Sequence, residues 1–542
     1  MKKEKEKKSV KKSKTIKKTK TDKKVSSIGK WVNLGILLLG LILVVIGIFV
    51  GTVEIPFKVF GSLIMLGSLI AYAVRSKEHV LVKSIISTTL IAILLTWLLP
   101  YGAFSGNVYA EYGMGRIGLN DIPTVIYYAV YFALDKLMYL FVLGGFYGVL
   151  SLTKGYQKLV TSIAKKLESN KMTVVIVSMV IFALLTTLLT NSLAVLFFVP
   201  FVISIMSKMK VDKLSSFIAT FGGILVGLMA APWGTEGLTW FNYYVGTTIT
   251  NGFKLRLIIT AISLLLFIVF VVIRSKKLDK KDAASSLTED TFEVASLEEK
   301  TKKAPIVILL AICAIVILLG YIDWKGTLGI EVFSKFHEWL VGLTIGENTT
   351  IFAYILGASA KMLGSWDIAS LVAFTLVMSI IVGLVYRIKL SDFLTAFGNG
   401  MQKMLKPVAI YVAVFTAFVV MYMTPIMPTI ANWFYGLTEG FNLFTTSLMA
   451  FIASIFQTDL GYTGYALGAY LTSTFADKLD LVHTIHIAMY GMVQLILPTS
   501  GLLVLGLAYT KVEYKTWLKF IWKFAVAMLI ILMIIFSIAA FA

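Results

Sequence analysis

The stretch "MTVVIVSMVIFALLTTLLTNSLAVLFFVPFVISIM", residues 172–206, decides the fold. It is almost entirely apolar, and lysines lie at both ends, Lys171 before it and Lys208 after it. Since Lys and Arg beside a membrane segment mark the cytoplasmic side, both ends are predicted to lie on one side. The polar centre, Thr190-Asn191-Ser192, therefore predicts the tip of a re-entrant helical hairpin near the midplane, where irregular backbone must face protein or water. The alternative is one crossing followed by a surface helix.

The composition around this stretch is that of a membrane protein. Of the 542 residues 58% are hydrophobic and 15% charged, and the mean hydropathy is +0.86. A soluble domain needs more charge than this to keep its surface hydrated. Apolar segments recur from residue 33 to the end, so we predict an all-α polytopic protein of the cell membrane with a cytoplasmic N-terminus.

The N-terminal tail carries much of the net charge of +21, with fourteen lysines and three acidic residues in positions 1–30. Such a Lys-rich segment cannot bury enough apolar surface to fold and is predicted to be disordered. It lacks the interleaved aromatic residues of a nucleic-acid surface. We interpret it as a topology signal and an anchor on anionic inner-leaflet lipids.

The second half of the chain repeats the plan of the first in the opposite orientation. The helix at 215–232 breaks at "APWGTEG", Ala231–Gly237, just after the first hairpin. Residues 443–475 again have a polar centre, "QTDLGYTG" at Gln457–Gly464, and the next helix breaks at "LPTSG", Leu497–Gly501. Inverted repeats with paired interrupted helices are typical of secondary transporters, whose substrate binds at the interruptions.

These patterns predict that the chain divides into five consecutive parts. The parts are a tail (1–30), two extra helices (31–83), a first repeat (84–273), a linker (274–303) and a second, inverted repeat (304–542). The linker holds charges of both signs and many Ser and Thr residues. Residues 322–366 are ambiguous, and we favour an even number of crossings because 367–386 should end inside, where Arg387, Lys389, Lys403 and Lys406 lie before the next crossing at 407–430.

Asp459 is the sharpest candidate for binding a substrate or ion. A carboxylate within an apolar hairpin usually faces a cavity or a partner, and it could hold a cationic group, Na⁺ or a proton. The alternative is that Asp459 caps a helix end. The full set of candidates at the two tips and two breaks is Thr190, Asn191, Ser192, Pro232, Gly234, Thr235, Glu236, Thr458, Asp459, Pro498, Thr499, Ser500 and Gly501.

No catalytic or metal-binding pattern accompanies these residues. Cys313 is the only cysteine, and His483 and His486 are two isolated ligands that we place at a polar loop edge. No nucleotide-binding motif occurs, which argues against an ATP-driven pump. We therefore expect neither an enzyme nor a cofactor, with Na⁺ or H⁺ as a coupling ion.

Five sequence blocks resemble one branch of bacterial carriers. They are "TWLLPYGAF" at Thr96–Phe104, "RIGLNDIP" at Arg116–Pro123, "GGFYGVL" at Gly144–Leu150, "FGNGM" at Phe397–Met401 and "LPTSGLLVLGLAYTKVEYKTWLKF" at Leu497–Phe520. Together they resemble the YfcC-like branch of the C4-dicarboxylate anaerobic carriers, in the ion transporter superfamily, over about residues 84–542. The resemblance implies two inverted repeats with hairpins, often in a homodimer, that move carboxylates or amino acids by exchange or cation coupling.

The ligand-facing positions depart from that branch. Thr190-Asn191-Ser192 stands where an acidic pair is usual, and Ala231-Pro232-Trp233 where Asn-Pro-Phe is usual. Two intramembrane carboxylates, Asp459 and Glu236, and the lack of a clearly buried arginine favour a basic amino acid of the arginine/ornithine type, exchanged across the membrane. The alternative substrate is a C4-dicarboxylate or other carboxylate, and a less favoured class is an ion channel.

Overall fold

The fold is described from a computed structural model that covers residues 32–47, 54–75, 79–234, 236–277, 286–294, 304–345, 349–357, 360–457 and 459–541. The predicted tail and the candidates Thr235 and Thr458 lie outside these ranges. Of Glu236 the structure describes the backbone alone.

Helices make up nearly all of the first half. They are α1 (Val32–Gly47), α2 (Glu54–Arg75), α3 (Val80–Leu98), α4 (Ile122–Ser151), α5 (Lys154–Leu167) and α6 (Lys171–Leu188). They continue with α7 (Ser192–Lys208), α8 (Lys213–Gly227), α9 (Glu236–Val245) and α10 (Phe253–Lys277). A short antiparallel pair, β1 (Tyr101–Ser105) and β2 (Val108–Gly113), occupies the predicted polar loop between α3 and α4.

The second half has the same character. Its first helices are α11 (Ala304–Tyr321), α12 (Val332–Gly342), α13 (Ile351–Leu356), α14 (Ile368–Val385), α15 (Leu390–Met423) and α16 (Met427–Tyr435). The remaining helices are α17 (Leu443–Ser454), α18 (Leu460–Thr474), α19 (Leu479–Ile496), α20 (Gly501–Thr510) and α21 (Tyr514–Phe541). Two-residue strands, β3 (Thr344–Ile345) and β4 (Thr349–Thr350), lie between α12 and α13.

Eight helical stretches within the described residues are long and apolar enough to cross a membrane. Their outward faces carry large apolar side chains that water would not tolerate over such an area, for example Ile258, Leu265 and Ile534. The protein is therefore a multi-pass membrane protein, and the all-α polytopic prediction is confirmed.

The first hairpin forms where the sequence predicts it. α6 ends at Leu188 and α7 begins at Ser192, with extended backbone at Leu189 and Asn191 between them. The chain enters α6 directly from α5, and the far half of α7 packs back along α5, where Tyr156 donates a hydrogen bond to Ser204 at 3.2 Å. Both ends of the segment thus adjoin the same helix, as a hairpin requires.

The second hairpin closes on itself in the same way. α17 ends at Ser454 and α18 begins at Leu460, while the rings of Phe441 before α17 and Phe475 after α18 lie 6.2 Å apart. Tyr470 near the end of α18 packs on Phe104 of β1 at 4.6 Å. The first hairpin thus opens beside α5, which we call the linker side, and the second beside β1 and β2, which we call the strand side. The inverted orientation of the two halves remains a prediction, which these contacts favour.

A glycine seam joins the two halves. α4 packs along α15 so closely that a Cβ added to Gly400 would lie 2.1 Å from the carbonyl oxygen of Gly144, and one added to Gly148 would lie 2.3 Å from that of Ala396. Helices approach this closely only where side chains are absent. The blocks "GGFYGVL" and "FGNGM" are therefore the two faces of one helix crossing.

The segment between α11 and α14 begins and ends at the same place, next to the end of α11. The carbonyl oxygen of Gly320 accepts hydrogen bonds from the backbone N–H groups of Gly364 and Trp366, each at 3.1 Å. The described residues in between form only the short helices α12 and α13 and two two-residue strands. These contacts favour the even number of crossings expected for residues 322–366, which stays a prediction.

α15 differs from its predicted bounds. The sequence places a basic loop at 387–406 and a crossing at 407–430, whereas the helix begins at Leu390, continues through Pro407 and ends at Met423. Lys403 and Lys406 lie on this helix because its first part packs on α4 through small residues rather than entering solvent.

Candidate functional site

A cavity of about 510 Å³ lies where the hairpin tips and the broken helices meet. Nine of the twenty described residues that line it are aromatic, namely Phe132, Trp240, Tyr244, Tyr411, Phe415, Tyr422, Tyr462, Tyr465 and Tyr490. Its polar lining residues are Lys136, Asn191, Ser192, Asp459 and Gln494. A cavity of this size with few convergent polar groups is typical of a small-molecule site.

Asp459 lies at the tip of the second hairpin and has two roles. Its side chain caps α18, with Oδ1 accepting a hydrogen bond from the N–H of Gly461 at 2.7 Å. It also lines the cavity, and a Cβ added to Gly237 would lie 2.7 Å from Oδ1 and 3.1 Å from Oδ2. The predicted binding role and the alternative of a helix cap are thus compatible, because a carboxylate has more acceptor sites than the cap uses.

The first hairpin tip presents a helix start to the same cavity. Asn191 caps α7, with Oδ1 accepting from the N–H of Leu193 at 2.9 Å, and Ser192 begins the helix. Thr190 points elsewhere, since its N–H and hydroxyl both donate to the carbonyl of Tyr321, at 2.8 and 3.1 Å. The positive end of the dipole of α7 lies at this start and favours an anionic ligand group such as a carboxylate.

α20 brings a second helix start to the cavity. Ser500 is fully buried and caps the helix by accepting from the N–H of Leu503 at 3.2 Å. Gly501 lines the cavity, and a Cβ there would lie 2.7 Å from the ring of Tyr411. Thr499 is buried, and its hydroxyl has no hydrogen-bond partner among the described residues. Pro498 is buried beside them but is not part of the cavity lining.

The break between α8 and α9 is held from behind by α10. Arg256 is fully buried, so the expectation that no arginine is buried was wrong. It donates to the carbonyls of Ala231 at 2.8 Å and of Ile249, and Thr260 donates to those of Met229 and Ala230 at 3.2 and 3.0 Å. Interrupted helices leave such carbonyls without partners, so α10 stabilises the break. Pro232 and Gly234, the latter at φ +131°, shape this turn but do not line the cavity.

α9 connects the break after α8 to the second hairpin by packing against α18. Glu236 begins α9, which packs tightly along α18 through contacts between Trp240 and Gly461 and between Phe241 and Gly464. Four of the predicted candidates, from separate parts of the chain, thus line one cavity: Asn191, Ser192, Asp459 and Gly501.

Lys136 is the main polar residue that the sequence analysis did not place at the site. It lines the cavity, and its Nζ lies 3.0 Å from Oδ1 of Asp135, which is 48% exposed. From the sequence we expect Asp135 and Lys136 to form a partly solvated pair near the outer surface. The structure contains this pair, but it also places Lys136 in the cavity lining, which the sequence did not indicate. The aromatic lining residues were missed because apolar positions in a membrane helix look alike in sequence whether they face lipid or a cavity.

The placement of His483 and His486 at a loop edge was wrong. Both are fully buried within α19, and Nε2 of His483 lies 2.5 Å from Oδ1 of Asn242 on α9. Their rings pack on Phe241, so α19 rather than a loop supports the back of α9. No group of three or more metal-ligating side chains occurs among the described residues.

A family model described as C4-dicarboxylate anaerobic carrier matches residues 85–541. The chain is similar to the YdaH transporter of Alcanivorax borkumensis at 13% identity and a TM-score of 0.36, covering 84% of this chain and 97% of that one. It is similar at 13% identity and a TM-score of 0.33 to Neisseria gonorrhoeae MtrF, whose structure illuminates a class of antimetabolite efflux pumps, covering 87% of this chain and 97% of that one. The comparison with curated proteins returned no match.

Proposed function

The chain belongs to the C4-dicarboxylate anaerobic carrier family and is a secondary transporter, and from that premise we propose that it exchanges an amino acid with a cationic side chain. The observation that carries this proposal is the position of Asp459 in an aromatic-walled cavity that two helix starts also reach. A carboxylate and aromatic faces suit an ammonium or guanidinium group. The positively polarised N-terminal ends of α7 and α20 would bind the carboxylate of the substrate.

Charge balance supports a cationic substrate. Lys136 and Asp459 are the charged side chains of the described lining, and Lys136 is paired with Asp135, which lies outside it, so the three groups together formally carry one negative charge. An arginine-like amino acid carries one net positive charge and would neutralise it. A dicarboxylate would add two negative charges to the same space, and burying uncompensated charge in a membrane protein is costly.

The second candidate is a C4-dicarboxylate, which the family description favours. In that case the two carboxylates would bind at the starts of α7 and α20, and Asp459 would hold the coupling Na⁺ or H⁺.

The basic loops beside α5 and α10 support a cytoplasmic location of the linker side, by the positive-inside rule.

Counterflow in proteoliposomes tests the proposal. Vesicles loaded with unlabelled arginine or succinate receive a trace of the same labelled compound outside. Labelled arginine should accumulate saturably, and Asp459→Asn should abolish this accumulation, because Asn keeps the cap on α18 but removes the charge. Asp477→Asn, at an exposed carboxylate beyond the other end of α18, is the matched control and should retain it.

The other outcomes are equally specific. Counterflow of succinate alone would replace the amino-acid proposal by the dicarboxylate one and make Asp459 a cation-coupling residue. Counterflow of neither compound would contradict both substrate classes while leaving family membership in place.

A further inference from the structure

Residues 286–294 of the predicted linker form a built contact with the bundle rather than a loose connection. The segment lies on the linker side, and Phe292 within it is 1% exposed. Its ring stacks on Tyr147 of α4 at 5.7 Å and lies 6.4 Å from Tyr509 of α20. A fully buried aromatic residue in a mainly polar segment holds that segment firmly against the bundle. We call the surface that it covers, formed by α4, α5, α7, α8 and α20, its seat.

Ion pairs hold the same segment at its surface. Glu289 bridges the start of α8 and the end of α20, with its carboxylate 2.7 Å from Lys213 and in contact with Lys511. Glu293 pairs with Lys208 at the end of α7, at 2.5 Å. The acidic side chains of the segment thus neutralise basic residues on three separate helices.

Hydrogen bonds complete the seat. The hydroxyls of Thr288 and Ser216 lie 2.6 Å apart, and Ser207 donates to the carbonyl of Thr288 at 3.2 Å. The carboxylate of Asp290 lies close to the hydroxyl of Ser204. Gln157 of α5 donates to the carbonyl of Val294 at 3.0 Å.

The helices under this segment are those that reach the cavity. α7 has Ser192 at the cavity and Lys208 at the segment, and α20 has Gly501 at the cavity and Lys511 at the segment. α8 runs the other way, with Lys213 at the segment and Leu228 just beyond its end at the cavity. At 1.5 Å per residue, α20 spans about 15 Å between these two places.

We propose that residues 286–294, the latch, close the linker-side exit of the cavity and must leave their seat each time the carrier opens to that side. A secondary carrier exposes its site to the two sides in turn, and α7, α8 and α20 run from the cavity to the linker side, where residues 286–294 cover their ends. The latch ties these three helices together at that end. The proposal rests on the carrier class and not on the identity of the substrate.

Cysteine accessibility tests the latch without any substrate. Cys313→Ser removes the only cysteine, and Ser204→Cys then places one thiol beneath the latch, at a position that is 1% exposed. A membrane-impermeant maleimide is added from the linker side to membrane vesicles of known orientation. We expect slow modification in this parent and at least ten-fold faster modification after Glu289→Gln together with Phe292→Ala.

The matched control carries the same two substitutions elsewhere. Glu331→Gln with Phe333→Ala removes a surface ion pair with Lys335 and an aromatic contact with Trp324, far along the chain from the latch. This variant should leave the modification rate of Ser204→Cys unchanged. Equal rates in the latch variant and the parent, or an equal rise in the control, would overturn the proposal.

A cross-link provides a second variant that does not weaken folding. Ser216→Cys and Thr288→Cys, in the Cys313→Ser background, replace two hydroxyls that lie 2.6 Å apart and should form a disulfide. Oxidation should arrest counterflow of the transported compound, and a reductant should restore it. Undiminished counterflow after complete oxidation would show that transport does not require the latch to leave its seat, and would overturn the proposal. Since the accessibility experiment needs no substrate, a failure of the latch proposal is distinguishable from a failure of the amino-acid proposal.

Discussion

At the scale of single residues, the aromatic wall of the cavity makes the substrate proposal testable apart from Asp459. Trp240 lines the cavity next to Gly461 on the hairpin that carries Asp459. A cation held over a tryptophan face gains about 0.5–2 kcal/mol. Trp240→Leu should therefore raise the half-saturation concentration for arginine by about 2- to 30-fold, measured by uptake into proteoliposomes.

Trp433→Leu is the control for that substitution. Trp433 on α16 is 62% exposed and does not line the cavity. The same loss of arginine affinity in both variants would mean that the effect comes from membrane anchoring rather than from the site.

Asp459 shows how far residue-level prediction from the sequence reaches. A carboxylate in an apolar hairpin is rare enough to be singled out, and the structure places it at the cavity. Lys136 was not assigned to the site because its neighbour Asp135 explains its charge equally well in sequence. The buried positions of His483 and His486 were missed because one turn of spacing does not reveal which face of α19 is covered.

At the scale of elements, the glycine seam should be intolerant of a single methyl group. Gly400→Ala places a Cβ 2.1 Å from the carbonyl oxygen of Gly144, so α4 and α15 must separate. Overpacking of this kind costs about 1–3 kcal/mol. The thermal-unfolding midpoint in detergent should fall accordingly.

Gly398→Ala, two residues away on the same helix, is the matched comparison. A Cβ there meets nothing within 4 Å, and alanine stabilises a helix interior by roughly 0.5–1 kcal/mol relative to glycine. Its midpoint should be unchanged or higher. A fall as large as that of Gly400→Ala would mean that the seam does not set the stability.

The broken helices were predictable from sequence, while the way they are supported was not. Polar triplets and Gly/Pro clusters within apolar runs located both hairpin tips and both breaks, since membrane helices otherwise have no reason to contain them. The clamp of Arg256 on the carbonyl of Ala231 joins residues far apart in sequence, and no local pattern reveals it. The continuous helix at Leu390–Met423 was hidden for a related reason, because its lysines resemble those of a loop.

At the scale of the whole molecule, the latch should resist acid. Hydrogen bonds from Lys213 and Lys511 hold the pKa of Glu289 at about 2, below the usual value for Glu. A lowered carboxylate pKa stabilises docking above the ordinary pKa, and this stabilisation is lost only as the pH falls towards 2. Burial raises the pKa of Asp290, so its docking becomes more favourable as the pH falls.

Modification of Ser204→Cys should therefore be no faster at pH 5.5 than at pH 7.5, with the thiolate fraction corrected by a free-thiol standard. Raising the salt from about 0.05 M to about 0.5 M should instead speed it, because exposed ion pairs are screened. Faster modification on acidification would contradict the assigned contacts of Glu289. The basic side chains that face Glu289 are Lys213 and Lys511.

The sequence predicts the linker as a charged connection between the two halves, but it does not indicate that part of the linker packs against the bundle. Phe292 is a single aromatic residue in a polar segment, and nothing local indicates that Tyr147 and Tyr509, from opposite halves of the chain, meet it. The pairing depends on the whole bundle being folded. Elements were thus predictable from composition and periodicity, and the contacts between distant elements were not.

The seam between α4 and α15 gives the molecule a fixed frame of reference. Where two backbones touch without intervening side chains, no change of rotamer can let one helix slide past the other. A spectroscopic label on either of these helices would thus serve as a stationary origin, and a second label on α7 or α20 would report travel relative to it. Distances measured in this way would report how far α7 or α20 moves relative to α4 and α15 during transport.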